Sequence, residues 1–330
     1  MTTRPKRKTN PLELTCVHPN AAGLDIGARE IWVSVPSERD PEPVRMFGTF
    51  TPDLQNLRDW LVRCQVDTVA MESTGVYWIP VFEMLEACGL RVYLVNARHI
   101  KNVPGRKSDY LDGQWIQKLH TLGLLSASFR PDAEMVVLRG YLRHRAMLIA
   151  HRAPHILHMQ KALQQRNLQL PQVLSDITGE TGLLILRAIV AGERNPVKLA
   201  QFRNPGCKSS QDEIAKALTG TWRAEHLFAL KQALELYDFY TQQVVACDAE
   251  IERQYTGMKP RWVGAEPVPE VARVKRNSHS KNQPKSNVRQ AIFRLTGVDL
   301  AGIKGVSASL AQTIVSEIGT DTPAPTAGAV

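Results

Sequence analysis

The sequence lacks the features that mark membrane and secreted proteins. No run of about 18 uninterrupted apolar residues occurs in the 330-residue chain, so no transmembrane helix is predicted. The first twelve residues are basic and polar and lead into no apolar segment, which argues against a secretory signal. Five cysteines stand far apart without a CxxC pair. This spacing favours free, buried thiols in a reducing cytoplasm over a zinc site or a disulfide framework.

Positive charge, in contrast, is in excess and is concentrated in two segments. The formal net charge is +9 at pH 7. Residues 1–10 contribute +4 and residues 256–294 contribute +7, so the rest of the chain carries −2. A nearly neutral body with two basic segments is typical of a polyanion-binding protein, because counterion release favours association with phosphates. The alternative is that both segments are solvated linkers.

The spacing of apolar residues indicates an α/β domain followed by helices. The predicted elements are a two-stranded hairpin over 22–35, a helix over 53–64 capped by Asp53, a strand over 68–72, a helix over 78–88, a strand over 91–95 and a helix over 108–122. This order fits a mixed five-stranded sheet of the ribonuclease H type.

From residue 136 the pattern becomes helical, with long amphipathic helices predicted over 139–170 and 224–255. Pro154 is expected to interrupt the first of them. The predicted organisation is a basic disordered tail over 1–10, a ribonuclease H-like catalytic domain over 11–135, a helical or coiled-coil arm over 136–255, a basic linker over 256–288, a helical segment with a helix-hairpin-helix-like part over 289–320, and a disordered tail over 321–330.

Four carboxylates stand out in this pattern. Asp25 lies within the first strand between apolar residues, and Glu72 ends another apolar strand. A buried carboxylate is costly unless it is paired or bound to a metal. Asp109 and Asp112 are three residues apart at a helix start and therefore face the same way. Neighbouring parallel strands would bring Asp25 close to Glu72, and the helix would complete the cluster.

Four carboxylates from three elements can hold two Mg²⁺ ions about 4 Å apart, with Mn²⁺ as the alternative metal. Such a pair activates the attacking oxygen and stabilises the leaving oxygen in phosphodiester cleavage. Taken singly, Asp109 has another explanation as a first-turn acid favoured by the helix dipole, and Asp112 as a solvated surface acid. The occurrence of all four in this order favours the metal site.

Basic and aromatic residues near these acids are candidates for contacts with nucleic acid. Tyr77 and Trp78, shortly after Glu72, are placed to stack on a base, although Trp78 at a helix start is more typical of a core residue. The candidates for phosphate contact are Arg98, Lys101, Arg106 and Lys107 before Asp109, and Arg273, Lys275 and Arg276 in the linker. The alternative is that these seven cations are solvated loop charges.

Three segments resemble a known protein family, namely GLDIGARE, AMESTGVYW and VNARHIKNVPGRKSDYLDGQWIQKLHTLGLLSASFRP. They are similar to the DEDD-type transposases of the insertion sequence 110/116/902 family, and the similarity continues as far as Asp321. The resemblance implies a Holliday-junction-resolvase-like catalytic domain with the tetrad Asp25, Glu72, Asp109 and Asp112. It also implies a helical dimerisation arm and a second, C-terminal transposase domain that contributes a nucleophilic serine.

The same resemblance implies partners and a cellular location. Family members act on the DNA of element ends and targets, and they use a structured non-coding RNA encoded by the element. We accordingly expect a homo-oligomer in the bacterial cytoplasm, associated with the nucleoid and with no membrane contact.

The C-terminus departs from the family pattern. The chain ends eleven residues after Gly319, with TPAPTAGAV where the family continues into the serine-bearing segment. Ser307, Ser309 and Ser316 do not match the family's serine. We therefore expect a partial C-terminal transposase domain and an incomplete enzyme that keeps the metal site. Two alternatives to an active transposase stay open, a truncated nucleic-acid-binding remnant and a junction-resolving nuclease.

Overall fold

A computed structural model describes residues 15–72, 75–96, 109–262, 282–284 and 286–320, with only the backbone at 109–111. The chain divides into two compact units, Met1–Phe129 and Arg130–Val330. Within the described ranges, no helix combines the length and the apolar character needed to cross a membrane.

The first unit is built on a mixed five-stranded sheet in the order β3-β2-β1-β4-β5. Its elements are β1 (Ala21–Ile26), β2 (Glu30–Ser34), β3 (Val44–Gly48), α1 (Thr51–Arg63), β4 (Thr68–Glu72), α2 (Trp78–Ala87), β5 (Arg91–Val95) and α3 (Asp109–Thr121). β1 pairs antiparallel with β2 and parallel with β4. At the edges of the sheet, β3 pairs antiparallel with β2, and β5 pairs parallel with β4. This arrangement confirms the predicted α/β, ribonuclease H-like fold class.

In the first unit, one strand and one helix cap differ from the prediction. β3 is not among the strands predicted from the sequence, because its residues are half-buried or exposed and show no alternation of burial. α1 begins at Thr51, two residues before its predicted start, so Asp53 is not the residue that caps it. Instead, the Asp53 carboxylate accepts a hydrogen bond of 3.2 Å from the backbone N–H of Phe50.

Helices cover both faces of the sheet. α1 and α2 bury the larger core on one face, where Leu24 and Met71 pack against Trp60. On the other face, Ile116 of α3 belongs to a smaller apolar cluster with Ala70 of β4. Successive strand residues point to opposite faces. Met71 therefore marks the face covered by α1 and α2, and Ala70 marks the face covered by α3.

α3 touches the sheet backbone-to-backbone at Gly23. A Cβ atom at Gly23 would lie 2.2 Å from the Gln117 nitrogen and 2.4 Å from the Gly113 carbonyl oxygen. On the helix side, a Cβ atom at Gly113 would lie 3.3 Å from the Trp32 carbonyl oxygen. Glycine at position 23 is therefore required for α3 to lie this close to β1.

The second unit is helical. Its helices are α4 (Ala133–Gln164), α5 (Leu170–Val173), α6 (Glu180–Val190), α7 (Pro196–Ala200), α8 (Gln211–Ala217), α9 (Ala224–Gly257), α10 (Val288–Thr296) and α11 (Ala308–Ile318). The two long helices α4 and α9 pack along each other. One apolar core lies between their adjoining ends and α5–α8, and a second lies where α10 and α11 pack against them.

α4 continues through Pro154, which corrects the prediction that this residue interrupts the helix. Proline cannot donate the helical hydrogen bond to the carbonyl of Ala150. Both residues are exposed, so water can hydrate that carbonyl. His151 and His155 stack on Tyr240 of α9, with ring centroids 5.9 and 5.6 Å apart, and hold the helix on either side of the proline.

All five cysteines are free, as predicted, but they are not all buried. Cys64 and Cys247 are buried, whereas Cys16 and Cys88 are exposed and Cys207 is intermediate. The expectation of five buried thiols is therefore wrong for three of them, since their helix-end and loop positions leave the thiols partly open to solvent.

Two buried arginines of the second unit have well-defined partners. Arg145 of α4 donates to both carboxylate oxygens of Asp248 on α9 and to the backbone carbonyl of Asn282. Arg152, two helical turns later, donates to the Thr241 hydroxyl and to the side-chain oxygen of Asn282. These bonds connect α4, α9 and the segment that leads into α10.

Arg166, directly after α4, is buried without such partners. It is fully buried, and its Nε, Nη1 and Nη2 atoms make no hydrogen bond within the described part of the chain. Its neighbours Leu163 and Leu168 belong to the apolar core. Burial, followed by repulsion from Arg194, lowers the pKa of the Arg166 guanidinium, while the charge of Glu225 opposes the shift. A cation in this environment costs free energy that an apolar side chain would not.

We expect Gly23→Ala to lower the free energy of unfolding of the first unit by about 3 kcal/mol, because backbone atoms of α3 occupy the space of the new methyl group. Gly140→Ala is the matched control: that glycine lies within α4 with open space around it, so alanine should stabilise by about 1 kcal/mol. Urea denaturation followed by circular dichroism measures both changes. Wild-type stability in Gly23→Ala would contradict the close contact.

We expect Arg166→Met to raise the free energy of unfolding by about 2 kcal/mol, because an apolar chain of similar length replaces a buried cation that makes no hydrogen bond within the described residues. The control is Arg145→Met, which strands the Asp248 carboxylate and should destabilise by about 3 kcal/mol. Thermal and urea unfolding distinguish the two. A loss of stability in Arg166→Met would show that the guanidinium has a stabilising partner.

Candidate metal centre

Asp25 and Glu72 end up side by side because of the strand register. Leu24 of β1 pairs with Met71 of β4, and the two acids are the next residues on these parallel strands. Their backbones therefore lie about 4.8 Å apart, the spacing of neighbouring strands. Both acids lie at the carboxyl edge of the sheet, defined here as the edge where β1, β4 and β5 end.

Both carboxylates also point to the same face. Gly23 contacts α3, so Asp25, two residues further along β1, faces the α3 side as well. Ala70 packs in the cluster that contains Ile116 of α3, so Glu72, two residues further along β4, shares that face. Glu72 is only 7% exposed, whereas Asp25 is half-buried.

α3 runs antiparallel to β1, and this direction brings its first turn to the carboxyl edge. At its far end, His120 lies 2.9 Å from the hydroxyl of Thr68, the first residue of β4. In its middle, Gln117 lies against Gly23. The first turn, with the half-buried Asp112, therefore lies towards the end of the sheet where the strand acids are.

Several predicted site residues lie outside the described residues. Asp109 begins α3, but only its backbone is described. The seven basic candidates also lie outside them, namely Arg98, Lys101, Arg106, Lys107, Arg273, Lys275 and Arg276. Within the described residues, no group of three or more His, Cys, Asp or Glu side chains is close enough to hold a metal ion.

The donor chemistry nevertheless fits a hard divalent cation. Asp25, Glu72 and Asp112 offer only carboxylate oxygens, which are the ligands that Mg²⁺ prefers. Glu72 is buried on the face that it shares with Asp25, and a divalent cation at this edge would be attracted by both carboxylates.

His120 fixes the end of α3 that is far from the acids. Its side chain is fully buried, and its ring centroid lies 4.6 Å from that of Tyr93 and 4.7 Å from that of His18. Burial, followed by the charges of His18 and Arg91, lowers the pKa of His120 to about 4, while Asp67 opposes the shift. The imidazole is therefore neutral at neutral pH. Nothing in the sequence distinguishes it from an ordinary basic residue in the last turn of a helix.

Residues 22–167 match a family described as transposase, the DEDD transposases of insertion sequence 110. The match covers all of the sheet except Ala21, the helices α1 to α3, and α4 to its end. It therefore includes Asp25, Glu72, Asp109 and Asp112. No curated protein matches the chain.

The buried imidazole makes stability depend on pH. Between pH 6.5 and about 4 the unfolded chain binds a proton at His120 and the folded chain does not. The contribution of the neutral His120 imidazole to the free energy of unfolding is therefore complete above pH 6.5 and is lost as the pH falls. We expect a loss of about 3 kcal/mol across this window and a smaller loss in His120→Gln. His144→Gln, at an exposed position, is the control. Urea unfolding at several pH values measures the slope, and an identical slope in His120→Gln would refute the assignment.

Proposed function

We propose, from the premise that residues 22–167 are a DEDD transposase domain of the insertion sequence 110 family, that the chain acts on DNA phosphodiesters in the transposition of an insertion sequence. In this proposal Asp25, Glu72, Asp109 and Asp112 hold Mg²⁺, as two ions. The observation that carries it is the shared face of Asp25 and Glu72, at the edge of the sheet to which α3 brings its first turn.

The roles of the acids follow from how they are held. Asp25 and Glu72 lie on paired strands, which fix their separation, and Asp112 lies on a helix that a backbone contact holds against one of these strands. Rigid elements preserve the spacing of ligands better than loops do. When bound, Mg²⁺ would supply Lewis-acid stabilisation of the charge that develops on the phosphate oxygens.

The finer parts of the proposal come from the family resemblance. They are the element ends and target DNA as substrates, a structured RNA from the element as partner, and a homo-oligomer as the acting form. Arg98, Lys101, Arg106 and Lys107 precede α3 in the sequence and are proposed to contact phosphate near the metal. Arg273, Lys275 and Arg276 are proposed to contact the nucleic-acid backbone elsewhere.

We expect Asp25→Asn and Glu72→Gln each to slow Mg²⁺-dependent cleavage of a plasmid carrying the element ends by about 100-fold or more, because each removes a charged metal ligand. Asp67→Asn is the matched control, since this exposed acid precedes the same strand β4 at the opposite edge of the sheet. It should cleave like the wild type. Equal cleavage by all four proteins would refute the proposed site.

Metal binding is tested separately by thermal unfolding. Mg²⁺ should raise the melting temperature of the wild type, because a ligand that binds only the folded state stabilises it. Glu72→Gln should respond little to Mg²⁺, because the variant lacks one of the proposed carboxylate ligands. An undiminished response in Glu72→Gln would place the metal elsewhere even if cleavage is lost.

A further inference from the structure

Three aromatic side chains of the first unit are largely exposed. They are Phe50 at 78%, Phe129 at 61% and Tyr77 at 49% of full exposure. In the described part of this unit, the other large exposed hydrophobic side chains are aliphatic. Exposed aromatic rings add little to the core, whereas aromatic rings are the side chains on which ligand rings stack.

All three aromatics lie at the carboxyl edge of the sheet. β3 is antiparallel to β2, which is antiparallel to β1, so β3 ends at the same edge as β1 and Phe50 follows it by two residues. Tyr77 follows the end of β4 by five residues. The backbone N–H of Ser128 donates to the Leu94 carbonyl, at 2.7 Å, which places Phe129 beside the end of β5.

Local hydrogen bonds fix the backbone at two of these positions. Phe50 precedes the first residue of α1, and its N–H is bonded to the Asp53 carboxylate. Tyr77 lies in a turn that begins at Gly75, with φ of 55°, and the Trp78 indole N–H donates to the Gly75 carbonyl at 3.1 Å. The backbone from which these two side chains project is thus ordered before any ligand binds, which reduces the entropic cost of binding.

Along the strand order, two of the aromatics flank the strand acids. In the strand order β3-β2-β1-β4-β5, Phe50 lies beyond one side of the central strands and Phe129 beyond the other, while Asp25 and Glu72 lie between them. Four strand spacings amount to ~19 Å. With bases stacked 3.4 Å apart, this distance corresponds to roughly six nucleotides of one strand.

We propose that Phe50, Tyr77 and Phe129 bind unpaired bases of a single nucleic-acid strand on both sides of the acidic site. Stacking on aromatic rings requires free base faces, which a base-paired duplex does not offer. The strand would then cross the carboxyl edge with its backbone next to Asp25 and Glu72. The proposal deepens the proposed function and rests on it for the role of the bound strand, although base binding itself requires neither metal nor cleavage.

The test is the fluorescence anisotropy of a labelled oligothymidylate of roughly ten nucleotides, with a labelled duplex of mixed sequence as comparison, both in EDTA. Phe50→Ala, Tyr77→Ala and Phe129→Ala should each weaken oligothymidylate binding about tenfold and leave duplex binding nearly unchanged. The dependence on salt should stay the same, because no cation is removed. Tyr77→Trp should bind at least as well as the wild type.

The matched control is Val62→Ala. Val62 is 54% exposed near the end of α1 and so lies towards the opposite edge of the same unit. It should bind the oligothymidylate like the wild type. Unchanged binding in the three aromatic variants, or an equal loss with the duplex, would overturn the proposal. A change of oligomeric state with unchanged oligothymidylate binding would also overturn it and would assign the aromatics to a protein contact.

The same assay separates this proposal from the proposed function. Asp25→Asn should bind the oligothymidylate at least as tightly as the wild type in EDTA, because a negative charge is removed from the path of the strand. Normal cleavage by Asp25→Asn together with weak binding by Tyr77→Ala would refute the metal site and support base stacking. Lost cleavage in Asp25→Asn with normal binding in all three aromatic variants would refute only the stacking.

Discussion

The first unit depends on the contact between the backbones of α3 and β1 at Gly23. With no side chain between them, Gln117 and Gly113 approach the strand more closely than ordinary helix-on-sheet packing allows. The helix is also held at its far end, by the buried His120 beside Thr68. These contacts fix the direction of α3 and its distance from the sheet. The position of Asp112 in the first turn of the helix follows from them.

The two ends of this helix face different chemical environments. At one end a neutral imidazole, a tyrosine and a hydroxyl group form a small buried polar cluster. At the other end carboxylates share the edge of the sheet with exposed aromatic rings. The anchoring contacts are thus separated along the helix from the proposed functional groups, so residues at the carboxyl edge can serve binding without being needed to hold the helix in place.

The sequence predicts the central part of this arrangement because its signals are local. Asp25 and Glu72 interrupt apolar strands, and both the strands and their acids are recognisable without the structure. β3 carries no such signal, because an edge strand with half-exposed residues has no alternating pattern. α4 continues through Pro154 beside a contact that no local pattern contains, the stacking of His151 and His155 on Tyr240 of another helix. The edge position of Phe50 and Phe129 depends on strand order and on a single loop hydrogen bond, which no local pattern contains.

The buried guanidinium of Arg166, which makes no hydrogen bond within the described part of the chain, affects how much folded protein a cell retains. A cost of a few kcal/mol in the core of the second unit raises the unfolded fraction by one to two orders of magnitude, roughly. Chaperones and proteases act on the unfolded fraction. The steady-state amount of the protein is therefore lower than that of a chain with an apolar residue at position 166 and the same residues at the carboxyl edge. The number of folded copies therefore depends on this one core position, far along the sequence from the proposed metal ligands.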